Sequence, residues 1–196
     1  RQRQMCIRDR LFTSENFGQA IMNSLQTTFG SLIISLLAGI CAAYVIARRR
    51  FRFGLKKPMT YWVLLVRVLP PVAFTIPLYI MFNRLGVLNT KLPVMLACVL
   101  INVPLIIWFL ISFFQDLPEE IEESAKVDGA TEWQLFCKIV LPLVAPGIAA
   151  VSMLSFMYAW NEYTYTVIFT RIPANNTVPL ALALLNLSLI HISEPT

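Results

Sequence analysis

The sequence predicts an all-α protein: a polytopic transmembrane bundle of about four complete membrane helices, with a helix-turn-helix loop before the last of them. Three observations predict it. Of the 196 residues, 57% are hydrophobic and only 14% charged, against roughly a quarter charged in a soluble domain. The apolar residues gather into runs of about twenty, the length a helix needs to cross a bilayer core. The positive charges gather between those runs. One soluble core could not hide this much apolar surface, so the composition excludes a disordered chain, a nucleic-acid-binding module and a plain cytosolic enzyme. Four cysteines are too few and too scattered for a disulfide scaffold or a zinc site, and no metal site is expected.

The two ends are set aside first. Residues 1–10, RQRQMCIRDR, and 187–196, LSLIHISEPT, resemble translated sequencing-adapter read-through. Arg1, Arg3, Arg8 and Arg10 flank no apolar span, so they form no signal peptide. Without these ends the charges are 12 Lys/Arg against 9 Asp/Glu, or +3 in place of +5. The only histidine, His191, falls in the second end and receives no role. The credible chain is 11–186, expected to be an internal piece of something longer.

The first span runs from about Thr27 to Ala47 without a charge, and its small residues Gly30, Ser31, Ser35, Ala38, Gly39, Ala42 and Ala43 suit close helix contact. The second runs from about Met59 to Phe82 and holds Pro70, Pro71, Pro77 and one charge, Arg67. The third runs from about Leu92 to Phe114 around Pro104, and the fourth from about Leu143 to Trp160. Intramembrane prolines require neighbours that satisfy the freed carbonyls, so these helices belong in a packed bundle.

Arg48, Arg49, Arg50, Arg52, Lys56 and Lys57 follow the first span directly, and such a cluster marks a cytoplasmic loop. Alternation then puts 83–91 outside, 115–142 inside and 161–180 outside. Inside loops carry eight Lys/Arg and outside loops three, Arg84, Lys91 and Arg171. The basic cluster is read as a topology anchor.

The loop 115–142, QDLPEEIEESAKVDGATEWQLFCKIVLP, is too long and too patterned for a connector. Pro118 suits a first helical turn. Glu119, Glu120, Glu122 and Glu123 fall where the helix dipole favours anions. Ile121, Ala125 and Val127 make a small apolar face. Gly129 ends this helix. Thr131 and Glu132 start a second short helix with Trp133, Phe136, Cys137 and Val140 at helical spacing, and Pro142 and Pro146 mark the start of the fourth span. Anionic lipid would repel the acidic first helix, so its partner is expected to be a protein.

The segment Glu123-Ser124-Ala125, three residues, Gly129, nine residues, Ile139, Val140, Leu141-Pro142 resembles the EAA loop of ABC-importer permeases. Every spacing holds; Ser124 stands where alanine is usual. Asn23–Leu25, Ala42–Gly54, Ile76–Thr90, Trp160-Asn161-Glu162-Tyr163 and Thr177-Val178-Pro179-Leu180 resemble the carbohydrate-type permeases, most of all the smaller maltose-permease subunit and its relatives. The resemblance covers about Leu11 to Asn186. It implies a type I ABC-importer permease in a bacterial-type inner membrane, truncated by about one helix at each end. It implies as partners ABC ATPase subunits, a second permease subunit and a periplasmic or lipid-anchored solute-binding protein, with no nucleic acid. It also implies that Glu123, Ser124, Ala125, Asp128, Gly129, Ala130, Ile139, Leu141 and Pro142 form the ATPase-coupling surface.

No phosphate-binding loop of the G-x-x-x-x-G-K-[ST] type occurs, and no Ser/His/Asp set is available. The chain is expected to be no enzyme and to hold no cofactor. Polar groups within spans are candidates for the substrate path. Arg67, at about 2.5–3.5 kcal/mol on insertion scales, either snorkels or pairs structurally, or lines the path. Asn102 either bonds across helices or lines it. Asn161 and Glu162 either face the path or binding protein, or cap a helix. Same-architecture import of a polyol or glycerol phosphate is the alternative to a sugar; a membrane scaffold without transport is the remaining one.

Overall fold

The computed structural model describes residues 15–48, 56–68 and 70–193. Arg49, Arg50 and Arg52 of the basic cluster, and the suspected adapter residues 1–10, lie outside the described residues. Every regular element among the described residues is helical. Helix α1 covers Glu15–Arg48, α2 Lys56–Val68, α3 Thr75–Arg84, α4 Leu92–Gln115 and α5 Glu119–Val127. Helix α6 is continuous over Glu132–Trp160. Helix α7 covers Thr164–Phe169 and α8 Val178–Ser193. Three of these, over Phe17–Arg48, Leu92–Gln115 and Glu132–Trp160, are long and apolar enough to cross a membrane.

Helix α1 has an inverted surface. Its buried face is polar and small: Asn23, Ser24, Thr27, Thr28, Ser31 and Ser35 are all buried, while Met22, Phe29, Ile33, Ile34 and Leu37 are exposed. A soluble helix hides its large apolar side chains. A bilayer removes that need, and small polar residues then serve as the helix-contact face.

The structure corrects the sequence reading of helix boundaries at two places. The second span is not one helix. Helix α2 stops at Val68, a 3-10 turn covers Pro71–Phe74, and α3 begins at Thr75. Pro70 and Pro71 lack donors and push the preceding residue out of the helical region, so the break falls there. Conversely, the loop's second helix and the fourth span are one helix. Glu132–Gln134 is α-helical, Leu135–Val140 is π-wound and Leu141–Trp160 is α-helical again. The wider turn closes with Leu141 N–H donating to the Phe136 carbonyl five residues back. Pro142, which has no N–H to offer, sits just after this change of pitch, the usual place for such an irregularity.

The described residues form two compact units. The first holds 15–31, 71–98 and 158–193. Phe82 meets Phe169 edge-on at 5.5 Å between ring centroids, and Tyr165 stacks on Phe169 at 5.5 Å. Asn23 donates from α1 to the Ala174 and Asn176 carbonyls at 2.8 and 3.0 Å. Ser24 Oγ accepts from Val178 N at 2.8 Å, capping α8. Asn89 takes a left-handed φ of 64°, accepts from Arg171 N at 2.8 Å, and its own N–H donates to the Phe169 carbonyl at 3.0 Å. Asn89→Ala should therefore cost about 1–2 kcal/mol in backbone strain plus the lost acceptor. Asn89→Gly should cost less, because only the acceptor goes. Thermal unfolding of both variants in detergent checks the order.

The second unit holds 32–48, 56–68, 70 and 99–157. Its core joins the end of α1 (Ala43, Ile46, Ala47), the end of α4 (Ile106, Leu110, Phe114), Ala125 of α5, and Leu135, Val140 and Val144 of α6. The patterned loop is thus packed against two membrane-length helices.

Candidate functional site

The loop is built as a rigid knob. Pro118 precedes α5 with an extended ψ of 133°, and Glu119, Glu120 and Glu122 occupy its first turn, where they face the positive end of the helix dipole. At the other end Gly129 takes φ +81°. Ala130 N donates to the Ala125 carbonyl at 3.0 Å and Gly129 N to the Lys126 carbonyl at 3.1 Å. This pair of bonds is a Schellman motif, which needs a left-handed residue at Gly129 and closes with contact between the flanking residues, here two alanines. Thr131 then opens α6 with a capping box. Its hydroxyl accepts from Gln134 N at 3.3 Å, and the Gln134 carboxamide accepts from Thr131 N at 3.0 Å.

Lys126 and Glu132 pair across the turn at 3.0 Å, both well exposed. The hydrogen bond that it donates to the Glu132 carboxylate holds the Lys126 ammonium above the ordinary lysine value of 10.5. A raised lysine contributes its full stabilisation below that ordinary value and loses it as pH rises further, so the pair is insensitive to pH near neutrality. In high dielectric it adds under about 1 kcal/mol. Glu132→Gln should leave the melting temperature nearly unchanged at pH 7. Thr131→Ala should cost about 1 kcal/mol, and Thr131→Ser should recover it. Thermal melts of the purified protein separate the two effects.

The knob has an outer and an inner face. Glu123, Ser124, Asp128 and Gly129 are exposed; Ala125 is buried, and Ala130, Ile139 and Leu141 are half-buried. Val127, placed in the small apolar face of the first helix, and Trp133, set at helical spacing with Phe136, Cys137 and Val140 in the second, both turn outward. Val127 is 87% exposed and Trp133 is 72% exposed, because the residues turned inward at helical spacing are Ile121, Glu122 and Ala125 on α5, and Leu135, Phe136 and Val140 on α6. Ser124 Oγ donates back to the Ile121 carbonyl at 3.1 Å. Pro142 is exposed on the outer side of α6.

The inner face is held by a residue from α1. Arg48 Nε lies 2.8 Å from Glu122 Oε1, with the two side chains only 10% and 14% exposed. It is an ion pair and not an aligned hydrogen bond. A second guanidinium nitrogen donates to the Leu117 carbonyl at 2.8 Å. One turn earlier, Tyr44 packs on Phe136 at 4.8 Å and meets Phe114 edge-on at 5.6 Å. A cleft of about 640 Å³ opens beside these groups, between the end of α1, α5 and the start of α6.

The substrate-path candidates are distributed over both units. In the second unit Asn102 is fully buried on α4 and its amide lies 3.4 Å from the Ser155 carbonyl of α6, the cross-helix bond foreseen as one reading. Arg67 lies in α2, and its side chain is outside those described. In the first unit Glu162 is half-buried and accepts from Tyr165 N at 2.7 Å, at the start of α7. Asn161, beside it, is exposed. Among the described residues no cluster of His, Cys, Asp and Glu could hold a metal.

A family model described as the inner membrane component of binding-protein-dependent transport systems matches residues 17–192. The chain belongs to this family. It is a multi-pass membrane protein of transport subunits, and the match and α8 both continue past Asn186. It is 36% identical over 157 residues to the diacetylchitobiose uptake system permease protein NgcG of Streptomyces coelicolor, covering 80% of this chain and 51% of that one. It is 32% identical over 173 residues to the trehalose transport system permease protein SugB of Mycobacterium tuberculosis, covering 88% and 62%. The chain thus spans between half and two thirds of these two relatives. Among solved structures, a bacterial ABC transporter that imports the acidic polysaccharide alginate superposes with a TM-score of 0.74 at 21% identity, over 95% of this chain and 64% of that one. The MetNI methionine ABC transporter superposes at 0.66 and 16% identity, over 91% of each chain. At these identities the likeness is one of fold.

In this member of the permease family, sequence reasoning missed the part played by Arg48. It counted Arg48 among six clustered charges and explained the cluster by topology alone. Its one available signal was position: Arg48 is the last residue of the apolar helix, one turn after Tyr44, and so lies on the same side of α1 as that ring.

Proposed function

We propose that this chain is the membrane-spanning permease subunit of a binding-protein-dependent ABC importer for a carbohydrate. Its α5–α6 loop seats a separate ATPase subunit in the cytoplasm. The observation that carries this reading is the knob itself. Its outer face, Glu123, Ser124, Asp128 and Gly129, is exposed and small, while its inner face is locked by Ala125, the Schellman turn and the Arg48–Glu122 pair. A coupling element has to be rigid behind and open in front, because a soft one would absorb the displacement it transmits. Glu123 and Asp128 offer carboxylates that orient a basic cleft more than they tighten binding. The basic residues after α1 orient the loop toward the cytoplasm. ATP hydrolysis belongs to the partner, since this sequence has no phosphate-binding loop.

The carbohydrate class is supported by the names of the diacetylchitobiose and trehalose permeases. The fold's likeness to a methionine transporter favours keeping a second reading, in which the same architecture carries a non-sugar solute such as a polyol or glycerol phosphate. The test is reconstitution of the full-length protein with its second permease, ATPase and binding protein in proteoliposomes. ATP-dependent uptake of radiolabelled di- and oligosaccharides is expected. Uptake of glycerol 3-phosphate or polyols alone supports the second reading, and no ATP-dependent uptake of any solute overturns both.

A further inference from the structure

The loop is continuous with α6, so any displacement of the knob reaches that helix through the backbone. Helix α1 has no such connection. Leu117 and Glu122 lie 69 and 74 positions after Arg48. Yet α1 touches both arms of the loop. Arg48 grips the first arm at two points, the Leu117 carbonyl just before α5 and the Glu122 carboxylate within it, each at 2.8 Å. Tyr44 packs on Phe136 in the π-wound turn of α6 at 4.8 Å.

We propose that Arg48 is a positioning residue that locks the coupling loop to α1, so that a displacement of the knob moves α1 and α6 together. This rests on the reading of the loop as the ATPase seat. Two attachments, one just before α5 and one within it, resist both sliding and rotation, which a single ion pair would not. The pair is largely buried, so water screens it far less than a surface pair. Lysine cannot reproduce the grip: its single ammonium does not match a guanidinium that offers two separate nitrogens to two acceptors. Tyr44 supplies a third contact, one helical turn away, and keeps the end of α1 from pivoting about Arg48.

The experiment uses the full-length protein in its complete transporter, reconstituted in nanodiscs with the cysteines replaced. Spin labels are placed at Leu37 on α1 and Lys138 on α6, both exposed. The distance between them is measured by pulsed electron resonance without nucleotide and after trapping Mg·ATP with vanadate. In the wild type the distance is expected to stay the same, because α1 and the loop move as one body. In Arg48→Ala, vanadate trapping is expected to persist while the distance shifts or broadens on trapping. Arg48→Lys should fall between. Arg48→Glu combined with Glu122→Arg should restore part of the fixed distance, since it recovers the charge pair but not the bond to Leu117. A purely structural role would lower yield and stability without making the distance depend on nucleotide. An unchanged distance in both Arg48→Ala and Arg48→Lys, with trapping intact, overturns the proposal. Failure of the wild-type transporter to trap vanadate overturns the ATPase-seat reading itself, and the lock with it.

Discussion

Gly129→Asp is expected to leave the transporter assembled and hydrolysing ATP while ATP-driven uptake falls by about tenfold or more, a loss of about 1.4 kcal/mol or more in coupling. A Cβ at this position would meet no atom within 4 Å, so the fold has room for a side chain. The backbone is left-handed, φ +81°, which costs an ordinary residue about 1–2 kcal/mol; aspartate tolerates it better than most. Assembly should therefore survive. The exposed tip is another matter. A third carboxylate there joins Glu123 and Asp128, and the surface the ATPase meets gains both bulk and charge. Gly129→Ala carries the backbone strain without the charge and should lie between. The check is the ratio of solute taken up to ATP hydrolysed in proteoliposomes. A ratio equal to the wild type in Gly129→Asp would sink the assignment of this turn as the coupling tip.

Gly39→Ala is expected to destabilise the bundle more than Gly147→Ala, although both glycines lie at close helix approaches. A Cβ on Gly39 would come within 2.5 Å of Ile106 Cγ2 and 2.9 Å of its Cβ. Ile106 is fully buried in the core of the second unit, and its branched Cβ leaves it little freedom to turn away. Helices α1 and α4 must then part, at the usual overpacking cost of about 1–3 kcal/mol. A Cβ on Gly147 would come within 2.6 Å of the Phe113 ring. Phe113 is more than a third exposed, so it can swing outward, although its stacking on Phe109 at 5.4 Å resists. Adding Ile106→Ala to Gly39→Ala should return part of the loss. Melting temperature and monodispersity in detergent report both effects. Equal stability of the two single variants would show that the α1–α4 approach is not the tighter one.

The class of protein and the site of its loop were legible in the chain because both depend on local signals. The apolar runs behind α1, α4 and α6 follow from composition and length alone. The left-handed turn at Gly129 was legible because a glycine closing a short acidic helix, followed by Thr131 and Glu132 opening the next, is a stop and a start written in adjacent residues. Pro70 and Pro71 were visible too. Their effect was underestimated, since hydropathy carries an apolar segment through a break that the backbone cannot follow. Pro142 and Pro146 misled in the opposite sense. They read as a boundary, but a π-wound turn before Pro142 lets one helix pass from the loop into the membrane-length segment.

The exposures of Val127 and Trp133 were not legible. Both are apolar, and only the packing of α5 and α6 against α1 and α4 decides which apolar residues turn inward. Arg48 shows the same limit more sharply. Charge counting made it one of six equivalent cations, because local sequence has no means of pairing residues about seventy positions apart. By itself the sequence determined an all-α membrane protein with a glycine-turned, acidic-tipped loop, since periodicity, hydropathy and capping act over a few residues. The tertiary structure alone decided that this loop is locked to α1 through Arg48 and Tyr44. That lock depends on distances between helices remote in the chain, and those are set by packing.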